Sequence, residues 1–274
     1  MSKNVLVVLS EYGYWGEELI GPLDAIDEHG YKATFLTPTG KRPYALPPSK
    51  EAGFFDPPLD KIVVNEYYAR KTTEVDASDR LASPLNLEAW FPERPYFNSA
   101  NFGHALEAYH EKRAACWKEL EQYDALVIVG GSGPLIDMCN NIRLHDVILG
   151  FLAQDKLIAA ECYGVTCLAF ARDFTDRKSI IWGKHVTGHA IEYDWHDGTG
   201  VLGIDHNFKW AFYPLEFILR DATGPAGQFH GGVGHGISTI LDYPFLTGRS
   251  TQDSGLVGQL MVKVLEQGLR RYGW

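Results

Sequence analysis

Leu157-Ile158-Ala159-Ala160-Glu161-Cys162-Tyr163-Gly164-Val165-Thr166-Cys167-Leu168 is the stretch whose reading decides the fold. An apolar run of strand type ends abruptly at Glu161-Cys162. Gly164 follows two residues after the cysteine, and a small-residue, apolar stretch able to start a helix comes next. The pattern is a strand–turn–helix with a cysteine at the turn. Such a turn holds a nucleophile in a strained backbone conformation with its sulfur above the sheet edge. A helix starting just after Cys162 points its amide N–H groups back at the sulfur and favours thiolate over thiol. The glycine keeps the turn free of a second side chain. The alternative is a plain strand leading into a buried helix, with Cys162 as a small core hydrophobe.

Outward from this stretch the chain alternates. Val5 to Leu9 is a continuous apolar run, as expected of a central parallel strand buried on both faces. The loop Glu11 to Gly16 leads into a helix over 17–26, with Leu19, Leu23 and Ile26 at i, i+4 and i+7. Gly30 ends that helix, and Lys32 to Thr37 is a second strand, which makes a βαβ unit and a parallel sheet. Leu106 to Leu120 reads as a helix. Asp124 to Val129 is a third buried strand, running into Gly130-Gly131-Ser132-Gly133-Pro134, where glycines let backbone N–H groups approach a ligand. Leu144, Ile148 and Phe151 mark the next helix. After the elbow, 179–189 reads as a turn and strand, 213–220 as a short helix and 229–236 as a loop with two histidines. A strand at 238–241, a turn at 247–250 and a C-terminal helix over about 254–269 follow. The predicted fold is α/β: a doubly wound, mostly parallel, flavodoxin-like sheet sandwiched by helices, with a nucleophile elbow. Sites in such sheets lie at the carboxyl ends of strands, where the loops carrying Glu17 and Glu18, Gly130–Gly133 and Cys162 meet.

The chain reads as one domain over 1–274, interrupted by a proline- and aromatic-rich insertion at about 40–104. Its periodicity is poor, and a structureless loop of that length is foreign to a compact domain. Ordered short elements such as Ile62-Val63-Val64 are therefore expected there, forming a lid, a dimer contact, a pocket wall or a passive cover. Hydrophobic residues make up 45% of the 274 residues and charged residues 22%, ordinary values for a chain that buries a core. The net charge of −10 argues against a nucleic-acid partner and an anionic membrane surface. Four cysteines without a disulfide framework point to a reducing compartment. With no signal-peptide core and no spanning apolar run, a cytoplasmic location is expected. No HExxH or paired CxxC spacing occurs, so neither metal nor cofactor is expected.

These segments resemble the ThiJ/PfpI superfamily, with its class I glutamine amidotransferase-like fold, and in particular the branch of glutathione-independent glyoxalases III and related heat-shock chaperones. Five stretches carry the resemblance in order. Trp15-Gly16-Glu17-Glu18-Leu19-Ile20-Gly21-Pro22 is similar to the first loop and helix, with Glu18 four residues before the proline. Gly130-Gly131-Ser132-Gly133 is similar to the Gly-Gly-His-Gly run, and Glu161-Cys162-Tyr163-Gly164 to the Cys-His-Gly elbow. Gly183-Lys184-His185-Val186-Thr187-Gly188 and Thr247-Gly248-Arg249-Ser250 resemble two later turns. The resemblance implies that Cys162 is the nucleophile, that Glu18 is protonated and donates to its sulfur, and that the chain forms a homodimer. Glu17 is then a helix-start charge.

The chain departs from that pattern at two histidines, replaced by Tyr163 and Ser132. Tyrosine is a poor general base at neutral pH, but its hydroxyl can donate to an oxyanion. The Tyr163 backbone N–H, with that of Gly131 or Ser132, is expected to hold the oxyanion. The proton acceptor must then come from elsewhere. His185 and His189, 23 and 27 residues past the cysteine, lie in a region from which other branches supply a histidine. Glu192 or Asp194 falls near the branch's third acidic residue, which would orient one of them. His230 and His235 are further candidates. Cys167, Cys116 and Cys139 read as structural, and Trp15 and Trp182 as pocket walls or packing. A small-molecule substrate is expected. Three readings stand open: an enzyme on small reactive carbonyls, another hydrolase or hydratase on the same scaffold, and a stress chaperone or cysteine redox sensor.

Overall fold

A computed structural model describes residues 2–56, 60–97, 100–191, 215–231, 236 and 238–274. The apolar runs form an eight-stranded sheet: β1 (Asn4–Val8), β2 (Lys32–Thr37), β3 (Leu85–Asn86), β4 (Ala125–Ile128), β5 (Leu157–Glu161), β6 (Thr239–Asp242), β7 (Phe245–Gly248) and β8 (Arg271–Tyr272). Across the sheet they stand in the order β8-β6-β7-β5-β4-β1-β2-β3. The strands from β7 to β3 are parallel, and β6 runs antiparallel to both its neighbours. The chain leaves β1 for β2 on one side and returns to β4 on the other. The crevice therefore opens between the carboxyl ends of β1 and β4, with β5 beside them.

Alternation along the strands feeds two cores. Leu6 and Val8 of β1, with Ile158 and Ala160 of β5, face helices α4 (Ile142–Ala153), α5 (Thr166–Phe170) and α6 (Leu215–Thr223); α3 (Phe102–Glu119) flanks this side through Cys116. Val5 and Val7, with Leu157 and Ala159, face α1 (Gly16–Glu28) and α7 (Ser254–Gln267). Each large side chain buried this way contributes about 1.5–3 kcal/mol. Helices α1 and α7 cross with almost no gap. A Cβ on Gly21 would lie 2.3 Å from the Ser254 carbonyl carbon, and one on Gly258 would lie 2.6 Å from the Gly21 carbonyl oxygen. The two helix N-termini are thereby brought together at the end of β5.

The insertion holds more structure than its sequence suggests. It contributes helix α2 (Glu66–Ala77), N-capped by Asn65, and edge strand β3, which pairs with β2. Within α2 only Ala69 and Thr72 are buried, so no apolar period announces the helix. Polar contacts hold it instead. Asp76 accepts from the Ala45 N–H at 2.9 Å and the Tyr14 hydroxyl at 3.3 Å, and pairs with Lys50 at 3.0 Å. A Cβ on Gly16 would strike the Thr72 side chain at 2.2 Å, so α2 lies directly against the start of α1. The expected turn at 247–250 is also corrected. Thr247 and Gly248 belong to β7, a neighbour of β5 in the sheet. That strand is four residues long, preceded by Pro244 and closed by Gly248, and such punctuation reads as a turn.

Candidate active site

Strand β5 delivers its last residue, Glu161, to the α1/α7 face and then bends. Cys162 takes φ +50°, the left-handed region, which costs a residue with a Cβ about 1–2 kcal/mol. It opens a 3₁₀ turn, Cys162–Val165, that runs into α5. Gly164 is required for the close approach to β4, since a Cβ there would sit 2.8 Å from the Ile128 carbonyl oxygen. The Cys162 sulfur lies 3.3 Å from Nδ1 of His189. The His189 imidazole stacks on the Tyr163 ring, with centroids 4.1 Å apart and planes at 24°. Of the candidate histidines among the described residues, His189 is the one that meets the sulfur.

Glu18, in the first turn of α1, also reaches this sulfur. A Cβ on Gly130 would fall 2.2 Å from Glu18 Oε2 and 2.9 Å from the Cys162 Cβ, so this glycine is the gap across which the two residues face each other. Glu18 is 1% exposed, and neither carboxylate oxygen has a hydrogen bond of ordinary geometry among the described residues. Burial pushes its pKa up to about 8; the thiol of Cys162 and the N–H of Gly131 pull the other way, and the Glu17 charge adds to the rise. At neutral pH Glu18 is therefore mostly a carboxylic acid, able to donate a proton.

Sequence reasoning missed what lies beneath. The Glu161 carboxyl is buried at 1% exposure and accepts from the Ser254 hydroxyl at 2.8 Å. Burial, and then the Glu18 charge, raise its pKa well above the ordinary range. Asp253 accepts from the N–H groups of Ser238, Arg249 and Ser250, and burial pushes it up to about 6. Glu17 stands in the first turn of α1, as expected of a helix-start acid, but inside the protein rather than at its surface. It is buried, and desolvation raises its pKa to about 7 against the pull of Thr251, Trp15 and the Asn65 N–H. Four carboxyls thus converge where α1, β5 and α7 meet. Arg249 and Lys61 are cations acting on Asp253, and the Arg249 guanidinium also donates to the Gly231 and Gly236 carbonyls. The signal available in the sequence was Glu161 itself, an acid closing an otherwise apolar buried strand.

Other candidates lie elsewhere. His185 Nδ1 is 2.8 Å from His230 Nε2, and its ring stacks on Trp274 at 4.6 Å, away from the sulfur. Burial, then the neighbouring His185, lower the His230 pKa. Glu192, Asp194 and His235 lie outside the described residues. Gly131 takes φ +89° and turns its N–H toward Glu18, whereas the half-buried Ser132 has no hydrogen bond to its N–H among the described residues. Trp15 meets Phe54 edge-on at 6.1 Å and packs with it on Val63, Val64, Ala69 and Ala190, so the insertion reaches the residue after His189. Trp182 packs on Gly224 and under Lys178 instead. Cys167 is fully buried, and burial raises its thiol pKa well above the ordinary range; Cys116 and Cys139 donate to the Trp90 and Leu135 carbonyls. Among the described residues no cluster of three or more metal-ligating side chains occurs, and no helix is long and apolar enough to cross a membrane.

A sequence profile described as ThiJ/PfpI family-like matches residues 9–191. Among solved structures, the chain resembles the Rapid Encystment Protein 24 kDa of Francisella tularensis with a TM-score of 0.67 at 19% identity, covering 96% of this chain and 99% of that one. Glyoxalase III of Candida albicans gives 0.60 at 17%, with 96% and 98% covered. DJ-1beta of Drosophila melanogaster gives 0.53 at 15%, with 97% and 91% covered. At these identities the likeness is one of fold. No curated protein sequence matches the chain. The matched span runs from the end of β1, through the Glu18 helix, the glycine loop and the cysteine elbow, to the segment bearing His189, and the chain belongs to the ThiJ/PfpI family.

Proposed function

We propose that the chain is a cysteine-dependent enzyme acting on small reactive carbonyl compounds, in the manner of a glutathione-independent glyoxalase. The observation that carries this reading is the Cys162 sulfur held 3.3 Å from His189 Nδ1 at a strained elbow. A thiol paired with imidazole passes its proton to nitrogen and attacks as thiolate. With methylglyoxal, the thiolate adds to the aldehyde carbon. Glu18, protonated at neutral pH, gives its proton to the resulting oxyanion, and backbone N–H groups such as that of Ser132 stabilise the charge as it forms. The imidazolium returns the thiol proton to the Glu18 carboxylate, and neutral His189 then takes the hydrogen of that carbon as a proton while Glu18 protonates the ketone oxygen, giving an enediol; His189 delivers its proton to the neighbouring carbon, and the hydroxyl proton of the first carbon returns to Glu18. The aldehyde carbon is oxidised to a thioester while the ketone is reduced to an alcohol, so no external oxidant enters. Water hydrolyses the thioester, and the sum is methylglyoxal plus water to lactate. The fold likeness to a glyoxalase III supports this choice of substrate class.

Purified protein should convert methylglyoxal or glyoxal to the 2-hydroxy acid, measured by loss of dicarbonyl and appearance of lactate or glycolate. Cys162→Ala should reduce the rate to the blank. Wild-type turnover no faster than Cys162→Ala would refute the reading.

A further inference from the structure

The apolar cluster beside the site has no part in the reaction as written. Val63, Val64, Ala69 and Ala190 are buried together, and the half-buried Trp15 and Phe54 pack on them. Its two ends adjoin the neighbours of the sulfur. Trp15 donates its backbone N–H to the Gly130 carbonyl at 3.4 Å, and Gly130 is the gap between Glu18 and Cys162. Ala190 follows His189, whose Nδ1 lies 3.3 Å from the sulfur. The cluster therefore runs from the glycine loop to the histidine segment, beside the nucleophile. Its aromatic members are fixed in place. The Trp15 side chain interacts with the buried Glu17 carboxyl. Phe54 donates its N–H to the Glu51 carbonyl and accepts from the Val63 N–H, both at 3.0 Å, and its ring meets Trp15 edge-on at 6.1 Å. Apart from the indole N–H, the side chains of this cluster carry no polar atom.

We infer that this cluster is the wall against which the substrate's carbon substituent lies, with Trp15 and Phe54 as specificity-determining residues. The preferred substrates are then carbonyl compounds bearing an aromatic substituent, an arylglyoxal ahead of methylglyoxal. The inference rests on the nucleophilic role given to Cys162 in the proposed function and names the substrate class for it. The physical reason is the chemistry of the wall. A methyl group covers little of it. A phenyl ring removes more apolar surface from water and can meet both aromatic side chains edge-on or offset. A wall without polar side chains offers nothing to a hydroxylated or charged substituent, which would lose its water there without compensation.

The test uses matched reagents and does not depend on turnover. Bromoacetone and phenacyl bromide alkylate a thiolate with loss of bromide and differ only in methyl against phenyl. Their rates at Cys162 are followed by mass spectrometry of the Cys162 peptide and divided by their rates with free cysteine, which removes intrinsic reactivity. Wild type should favour the phenyl reagent by about tenfold beyond the free-thiol ratio. W15A and F54A should each cut that selectivity by about threefold or more, with circular dichroism and melting curves as fold controls. If F54A perturbs the fold, F54L, which keeps apolar bulk without a ring, replaces it. In parallel, initial rates with phenylglyoxal and methylglyoxal are compared through the appearance of mandelate and lactate, and the ratio of the two kcat/KM values should fall in the same variants. Wild-type selectivity equal to that of free cysteine, or selectivity undiminished in both variants, overturns the wall. Selective alkylation without Cys162-dependent turnover of either dicarbonyl leaves the wall standing and sinks the proposed function. Turnover of methylglyoxal without alkylation selectivity sinks this inference alone.

Discussion

Two buried acidic regions lie on opposite faces of the sheet, and they are built differently. On one, Asp146 of α4 is fully buried but surrounded by compensation. It accepts from the Tyr109 hydroxyl, Arg94 lies 3.5 Å and Arg113 3.8 Å away, and both guanidinium groups pack on Phe174. Burial raises its pKa, and Tyr109, Arg94 and Arg113 all pull it back down. On the other face, burial and then a neighbouring acid raise the pKa of both carboxyls, Glu17 acting on Glu18 and Glu18 on Glu161. A buried charge that has partners is a fastening for helices. Buried acids on which no cation acts among the described residues stay protonated, and a protonated carboxyl beside a reactive sulfur is a proton donor.

The contrast can be tested from both sides. The largest effect is expected from Glu18→Gln, which keeps the shape and a hydrogen-bond donor but cannot give up a proton. Dicarbonyl turnover should fall by about 10²–10⁴ while Cys162 still alkylates. A variant retaining full turnover would place the proton elsewhere. Asp146→Ala should behave in the opposite way. It strands two guanidinium groups and should cost about 3–5 kcal/mol in denaturant unfolding, leaving the alkylation profile of the folded protein unchanged. A loss under about 1 kcal/mol would break the distinction drawn between the two regions.

Stability should also depend on pH, with a sign set by the acids whose pKa burial raises. Folding raises Glu17 to about 7, Glu18 to about 8 and Asp253 to about 6, from ordinary values near 4. Between the unfolded and folded values the native state holds protons that the unfolded chain has released. Stability contributed by these groups is therefore complete below about pH 4, declines as pH rises through the interval to about 8, and then levels off. Melting temperatures across that range should fall in wild type. The smallest effect is expected from Glu161→Gln, which removes an ionisable group already held neutral. It should change stability at pH 5 by under about 1 kcal/mol and flatten the decline toward pH 8. A large loss at pH 5 would mean that Glu161 is ionised in the folded protein.

Much of this was legible in the sequence, for identifiable reasons. The strands at 4–8, 125–128 and 157–161 are buried on both faces, so their continuous apolar runs could be read directly. Cys162 and Glu18 were legible from the elbow and its family resemblance. The choice among His185, His189 and His230 was not. His185 and His189 are four residues apart, yet one meets a sulfur and the other a histidine and a tryptophan, and only the path after β5 separates them. Helix α2 was hidden because polar contacts to Asp76 hold it rather than an apolar stripe. Glu17 looked like an ordinary first-turn charge because nothing nearby in the chain shows that α7 and the insertion will cover it.

The glycine contact between α1 and α7 makes the reactivity of the sulfur a matter of helix spacing. Gly21 sits three residues after Glu18, and its missing side chain lets the α1 backbone rest on Ser254 and Gly255. Ser254 in turn donates to Glu161. A methyl group added at position 21 would wedge the helices apart, carrying Glu18 away from the sulfur on one side and Ser254 away from Glu161 on the other. The chemistry of this protein can thus be retuned by a change in a helix crossing that touches no reacting atom, and thiol reactivity in such a variant would report interhelical distance as a gauge.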